Sequence, residues 1–286
     1  MKIGIVSSGN DTLALRKILT KYNHDYLIYH NQTFFPFGSK DFTFIIEEIK
    51  KAVSFLVTQW AETVILDPVY ELALLMKEGW GGSNNMKNKS TPPPPPYEGG
   101  YILPLFTTYL HNYAFKYALV GKIWILTDFW SADEIQQIIT NLAKNYHPTE
   151  NQLNTKKFSF PFSYRVKTAT ARPSGIADLG NHNPYLIRTL KNDLRYFKDA
   201  NVDTILPMHY QYFKMQRTMK AFFNFRKTRF HDLSVIEKCF TTLICKEQQY
   251  SVHIRTNQDP KFLLKEKELV WLLQRGKEVE LEMEQI

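Results

Sequence analysis

Two short stretches carry the side chains best placed to do chemistry, Thr63-Val-Ile-Leu-Asp67-Pro68 and Asp203-Thr-Ile-Leu-Pro-Met-His209-Tyr210. In each, an apolar run of strand character ends on a group that accepts a proton, a carboxylate in one and an imidazole in the other. One base on each side of the chain's middle is what a two-lobed pocket needs to remove a proton from one face of a substrate and return one to the other. An imidazole of ordinary pKa about 6.5 is matched to neutral pH, whereas a carboxylate near about 3.9 is a weak base unless burial raises it. Such an asymmetric pair suits a one-directional elimination, decarboxylation or isomerisation better than a symmetric exchange. Structural roles stand beside these. Asp67-Pro68 is a good N-cap and first-turn pair, and His209 equally reads as a buried histidine with a structural hydrogen bond.

The elements that must position these residues alternate. Lys2–Val6 reads as a strand, Ser7–Asp11 as a polar turn, and Thr12–Tyr22 as a helix-period stretch. Asp25–Tyr29 is a second strand, Phe42–Ala61 a long helix, and Thr63–Leu66 a third strand that leads to a helix after Pro68. The second half repeats this order, with Lys122–Leu126, a turn at Asp128–Ser131, a helix through Leu142, the helical stretch Tyr185–Ala200 and the strand Asp203–Leu206. Strand, turn and helix in repetition predict an α/β fold with mainly parallel sheets. In such sheets ligands sit beyond the carboxyl ends of the strands. Four strand ends are therefore candidates: Ser7–Asp11, Asp67–Tyr70, Thr127–Ser131 and Met208–Gln211. Ser131-Ala-Asp-Glu134 also fits a capping box.

With 286 residues, 44% of them apolar and 22% charged, the chain can bury a real core. It has no apolar stretch of about 18 residues, so no membrane helix is expected, and its first apolar run is too short for a signal peptide. Two cysteines, Cys239 and Cys245, make neither a disulfide framework nor a metal site, and a reducing cytoplasm is the expected setting. The net charge of +8 points to an anionic partner. Lys214, Arg217, Lys220, Arg226, Lys227 and Arg229, interleaved with Phe222, Phe223 and Phe225, read as the solvated face of an amphipathic helix and not as a nucleic-acid site, since no recognised motif accompanies them. Residues 80–100 form a low-complexity loop, in which Pro94-Pro95-Pro96-Tyr97 fits the pattern read by WW domains. A plain spacer is the first reading of it, and a WW-type partner the alternative.

The order and spacing of these segments resemble the glutamate racemases of the aspartate/glutamate racemase superfamily. Ile3-Gly-Ile-Val-Ser7-Ser8-Gly9 sits in the frame of that family's opening strand and Asp-Ser-Gly turn, with Ser7 at the aspartate. Pro36-Phe37-Gly38 is similar to its Pro-Tyr-Gly substrate loop. The family's strand Asp-Thr-Leu-Val-Leu-Gly-Cys-Thr-His-Tyr aligns with Asp203–Tyr212, which puts its cysteine on His209, its threonine on Tyr210 and its histidine on Gln211. The first catalytic strand, ending Cys-Asn-Thr, aligns with Asp67-Pro68-Val69, and a threonine of the second lobe's Thr-x-x-Thr turn falls on Ser131. Thr256-Asn-Gln-Asp259-Pro260 is similar to the family's Thr-Thr-Gly-Asp-Pro segment. The resemblance implies two similar α/β lobes with a cleft between them, residues 1–103 plus 213–286 in the first and 104–212 in the second. It also implies cofactor-independent proton transfer by two thiols, without metal, and a small acidic amino acid or carboxylate as ligand. Racemases of this type are often homodimers.

Both catalytic cysteines are missing at the aligned positions, because no cysteine precedes residue 239. Three readings follow. The thiol mechanism is lost and a pocket for a small acidic ligand remains, with Ser7, Ser8, Pro36, Phe37, Gly38, Ser131 and Tyr210 as the expected binding residues. Alternatively Asp67 and His209 serve as the acid/base pair of a divergent isomerase, racemase or lyase. In the third reading the basic helix and the proline loop are the working surfaces of an interaction protein. The C-terminal stretch Phe262–Ile286 reads as a charged helix that packs on the first lobe and frays from Glu278.

Overall fold

A computed structural model of the chain describes residues 1–9, 11–22, 24–31, 40–77, 101–127, 132–168, 183–198, 200, 202–223, 228–229, 231–243, 251–256 and 279–283. Outside them lie Pro36, Phe37 and Gly38, the loop with Pro94–Tyr97, Asp128–Ser131, Arg226, Lys227, Cys245 and most of the C-terminal stretch. By contact the chain divides into Met1–Leu105 with Glu237–Ile286, and Phe106–Ile236.

In the first unit the apolar runs become β1 (Lys2–Ser8), β2 (Asp25–Asn31) and β3 (Thr63–Leu66), joined by β4 (Tyr101–Ile102), β8 (Ser251–Thr256) and β9 (Val279–Met283). They form one six-stranded sheet in the order β4-β3-β1-β2-β8-β9. Every pairing is parallel, with Val6 opposite both Leu66 and Tyr29. Ile3, Ile5, Val64, Ile65 and Leu66 are fully buried, as expected for strands covered on both faces.

Helix α2 (Phe42–Thr58) starts at Asp41, whose carboxylate accepts from the Thr43 amide at 2.8 Å. It crosses β1 at Gly4, where a Cβ would stand 3.0 Å from Leu56 Cδ1 and 3.2 Å from the Ala61 Cβ, so any larger residue would push these neighbours back by a few tenths of an ångström. The helix stops three residues short of the expected Ala61. Trp60 N–H donates to the Val57 carbonyl at 2.9 Å and Ala61 N–H to that of Leu56 at 3.0 Å, a Schellman ending with Trp60 in the left-handed region (φ 65°).

Residues 279–283 correct the expectation of a fraying helical end. Val-Glu-Leu-Glu-Met alternates with period two, and β9 pairs with β8 so that Glu280 lies opposite His253 and Glu282 opposite Arg255. The Thr12–Tyr22 stretch is helical only as a tight turn (Thr12–Leu15) followed by α1 (Arg16–Leu19).

The second unit is built on the three-stranded parallel sheet β6-β5-β7, made by Ser163–Thr168, Lys122–Thr127 and Thr204–Pro207. Trp124, Leu126 and Ile205 on one face pack against Leu186, Leu190, Leu194 and Phe197 of the helix Pro184–Lys198. Met215, Met219 and Phe223 enter the same cluster, and the Arg229 amide donates to the Asp203 carbonyl at 2.8 Å. Residues 213–236 therefore belong by contact to this unit, whereas the sequence reading returned the chain to the first lobe at 213. Asp203 itself braces the amino-terminal edge of the sheet. Its carboxylate accepts from the Val120 and Gly121 amides, the second at 3.2 Å, and desolvation holds its pKa above the ordinary range despite those bonds. No helix among the described residues is long and apolar enough to cross a membrane.

Candidate functional site

In the first unit the carboxyl ends of β1 and β3 are neighbours, because the strands pair in parallel as far as Val6 and Leu66. Ser7, Ser8 and Asp67 follow immediately and are buried, with Asp67 fully enclosed. Asp67 Oδ2 accepts from the Ser8 hydroxyl and from the Ser8 amide, the amide at 3.3 Å. Its Oδ1 accepts from the Tyr70 amide at 3.2 Å, and its carbonyl from the Glu71 amide at 2.9 Å. Asp67 thus caps the helix Pro68–Lys77 and at the same time ties the end of β3 to the end of β1. The capping role expected of this position is present, and both of its carboxylate oxygens accept hydrogen bonds.

The turn after β1 is closed in the same way. Ser7 Oγ donates to the Gly9 carbonyl at 2.8 Å, Gly9 N–H to that of Asn31 at 3.0 Å, and Thr12 Oγ1 to that of Val6 at 3.2 Å. Gly9 holds φ 59°, which a glycine adopts without strain. Asn31, at the end of β2, donates from Nδ2 to Glu48 Oε2 at 3.4 Å. The sequence reading overlooked Asn31 and Glu71. The polar ending of an otherwise apolar strand was the signal for Asn31, and the spacing of Glu71 from Asp67, one helical turn, was the signal for the other. Burial, followed by the charge of the buried Glu71, pushes the thiol of Cys239, on the helix Leu233–Leu243, up to about 12. That cysteine is a packed thiol with no tendency to ionise at neutral pH.

In the second unit β5 and β7 also end side by side, with Leu126 opposite Pro207 and the Met208 amide donating to the Leu126 carbonyl at 2.9 Å. His209 is extended (φ −141°) and opens the short helix Tyr210–Phe213 with its carbonyl, which accepts from the Tyr212 amide at 3.1 Å. Its side chain makes no cap bond and lies edge-on to Tyr212, ring centres 6.0 Å apart. Tyr210 is fully buried between Phe106 and Phe213, at centroid distances of 6.5 and 6.3 Å. Its ring is a core element, and Thr127 and Gln211 beside it are equally enclosed. Ser7, Ser8 and Asp67 are therefore brought together in one unit, and His209 and Tyr210 in the other. No cluster of three or more potential metal ligands occurs among the described residues.

No protein-family model matches the chain, and no curated protein matches it in sequence. Solved structures do match, over nearly the whole chain. Glutamate racemase isoform RacE1 from Bacillus anthracis superposes with a TM-score of 0.68 at 12% identity, covering 99% of this chain and 97% of that one. The glutamate racemase of Campylobacter jejuni gives 0.63 at 16% identity, covering 96% and 98%. That of Francisella tularensis, solved with D-glutamate, gives 0.62 at 12% identity, covering 98% and 96%. The chain has a glutamate racemase-like fold. At these identities the likeness is one of fold. In this chain cysteine occurs only at 239 and 245.

Proposed function

We propose that this is a racemase-fold protein in which two-thiol racemisation has been lost and the capacity to hold a small acidic amino acid or carboxylate has been retained. The observation that carries the first half is the state of Asp67. A general base must reach the substrate proton, and here the carboxylate is fully buried and already accepts from the Ser8 hydroxyl and amide and the Tyr70 amide. Breaking those bonds would strip a buried turn of its acceptors, at a cost of about 1–3 kcal/mol for each donor left unsatisfied. Asp67 therefore replaces the aligned cysteine with a brace.

His209 is the strand-end group that would meet a ligand carboxylate, as an imidazolium donor or through a neutral N–H. The D-glutamate bound by the Francisella tularensis enzyme is the obvious first probe.

The test is thermal unfolding of the purified protein with D-glutamate, L-glutamate, aspartate and unbranched dicarboxylates. A ligand at 100 times its Kd stabilises by about 2.7 kcal/mol, which for a chain of this length moves Tm by roughly 3–6 °C. The expected result is a shift with one of these acids that His209→Ala abolishes. Absence of any shift at 10 mM of every compound contradicts the ligand half of the proposal.

A further inference from the structure

The helix Pro184–Lys198 covers one face of the second unit's sheet, and its outer surface is sorted into two ridges. Leu186, Leu190, Asp193, Leu194 and Phe197 are its buried residues. At about 100° per residue, Arg188, Lys191, Arg195 and Lys198 fall together on one flank of the opposite face, and all four are exposed. Tyr185 and Tyr196 lie together on the other flank, about three turns and 16 Å apart, with 73% and 54% of their surface open to solvent. The only acid within the helix, Asp193, is buried. The outer face therefore carries cations and phenol rings and no negative charge.

One residue of each ridge is anchored by its neighbours. Tyr196 packs on Trp124 at 5.2 Å between ring centres, and its hydroxyl accepts from Arg165 Nη1 at 3.4 Å. Arg165 in turn lies 5.9 Å from the Trp124 ring centre. Lys198 lies over Phe222 at 5.0 Å, next to a helix (Gln216–Phe222) whose Arg217 and Lys220 are also exposed. A half-exposed tyrosine already packed against tryptophan and bonded to arginine loses less entropy when something stacks on it than a free one would.

We propose that this face docks single-stranded nucleic acid, with the sugar-phosphate backbone along the cationic ridge and unpaired bases stacked on Tyr185 and Tyr196. Each half of the surface argues for that polymer. A row of four cations complements a line of phosphates. Exposed rings beside such a row are the usual platform for unpaired bases, which stack without regard to sequence. A carboxylate-rich polypeptide satisfies only the first half, and duplex DNA hides the base faces that the rings would meet. Of the cluster that the sequence brought forward, Arg217 and Lys220 are exposed on the helix that Lys198 meets through Phe222. The helical stretch Tyr185–Ala200 is legible in the sequence, but its cations are spaced through an ordinary amphipathic pattern and become a ridge only once its buried side is known.

The experiment is fluorescence anisotropy with the intact protein and a labelled 12-nucleotide oligouridylate, repeated with the same length of oligothymidylate and with polyglutamate as competitor. Binding is expected at 50 mM salt, weakening as salt rises with a log–log slope of about −2 to −3 if about four phosphates are neutralised. Arg188→Glu with Arg195→Glu should weaken binding at least tenfold and flatten that slope. Tyr185→Ala with Tyr196→Ala should weaken it about tenfold while leaving the slope unchanged, the behaviour of lost stacking. Tyr185→Ala alone, at the more exposed ring, keeps the test valid if Tyr196→Ala disturbs packing on Trp124. Absence of binding at 50 mM salt overturns the proposal. So does binding that is indifferent to the tyrosines and displaced equally well by polyglutamate, which would make the face a general polyanion surface.

Discussion

Replacing Asp67 tests whether that carboxylate braces the fold or stands ready as a base. In Asp67→Asn the side-chain oxygen can still cap the Tyr70 amide, since asparagine is as good an N-cap as aspartate. The other position becomes an NH₂ group facing the Ser8 amide, so two donors meet and the amide is left without its acceptor. The Ser8 hydroxyl loses a charged acceptor as well. A hydrogen bond to a charged group contributes about 1.5–3 kcal/mol, and a buried unsatisfied donor costs about 1–3 kcal/mol. Since the two losses share one atom and are not additive, the expected destabilisation is about 2–3 kcal/mol. Ser8→Ala alone should cost about 1–2 kcal/mol, and in the double variant the second loss should shrink by about 1 kcal/mol, the coupling expected for groups in contact. Urea unfolding followed by far-ultraviolet circular dichroism reads this directly, because a change of about 2–3 kcal/mol moves the midpoint by roughly 1 M at unchanged slope. If Asp67→Asn unfolds within about 0.5 kcal/mol of the parent and is additive with Ser8→Ala, the carboxylate is not a brace and the argument against its acting as a base fails.

Three further outcomes are expected. Gly121 sits at φ 77° with a Cβ position only 2.1 Å from the Ser159 carbonyl oxygen, so Gly121→Ala should cost at least about 3 kcal/mol or prevent the second unit from folding, read as lost soluble yield or a lowered Tm. Trp60 is 83% exposed and holds a left-handed C′ position that glycine occupies without strain, so Trp60→Gly should raise stability by about 0.5–1 kcal/mol in the same urea assay. Burial, followed by the Arg229 charge, lowers the pKa of His231 to about 4. The unfolded chain, with the ordinary value of about 6.5, then binds the proton first, so stability from this group is full above pH 6.5 and is lost as pH falls to 4. The loss should be on the order of 2 kcal/mol for a group still partly exposed, and His231→Gln should flatten the pH dependence of Tm over that window.

What the sequence disclosed, it disclosed through apolar runs. β1, β2, β3, β5 and β7 are buried strands whose Val, Ile and Leu content stands out from their neighbours, and each was placed within about two residues. β6 and β8 escaped notice because Ser163–Thr168 and Ser251–Thr256 mix charged residues with apolar ones, and their weak alternation is easily lost among loops. β9 was mistaken for helix because its glutamates suit a helix composition, whereas their partners, His253 and Arg255, lie far back in the chain. The end of α2 was misplaced for a chemical reason, since the left-handed stop falls on tryptophan and the usual glycine or asparagine signal is absent. At the candidate site, the residue types and strand-end positions of Asp67 and His209 were legible. Their surroundings were not, because the Ser8–Asp67 bond joins residues 59 apart in sequence, and the burial of Tyr210 depends on Phe106, which the sequence did not single out.

The central claim is that this racemase fold no longer moves an α-proton. Its most direct test is incubation of the purified protein in D₂O with D- and L-glutamate, aspartate and a panel of other amino, 2-hydroxy and dicarboxylic acids, followed by proton NMR. The expected result is retention of every α-proton at high protein concentration, including for any acid that raises Tm. Washout of an α-proton that disappears in both Asp67→Asn and His209→Asn would contradict the claim and make those two residues a working acid/base pair.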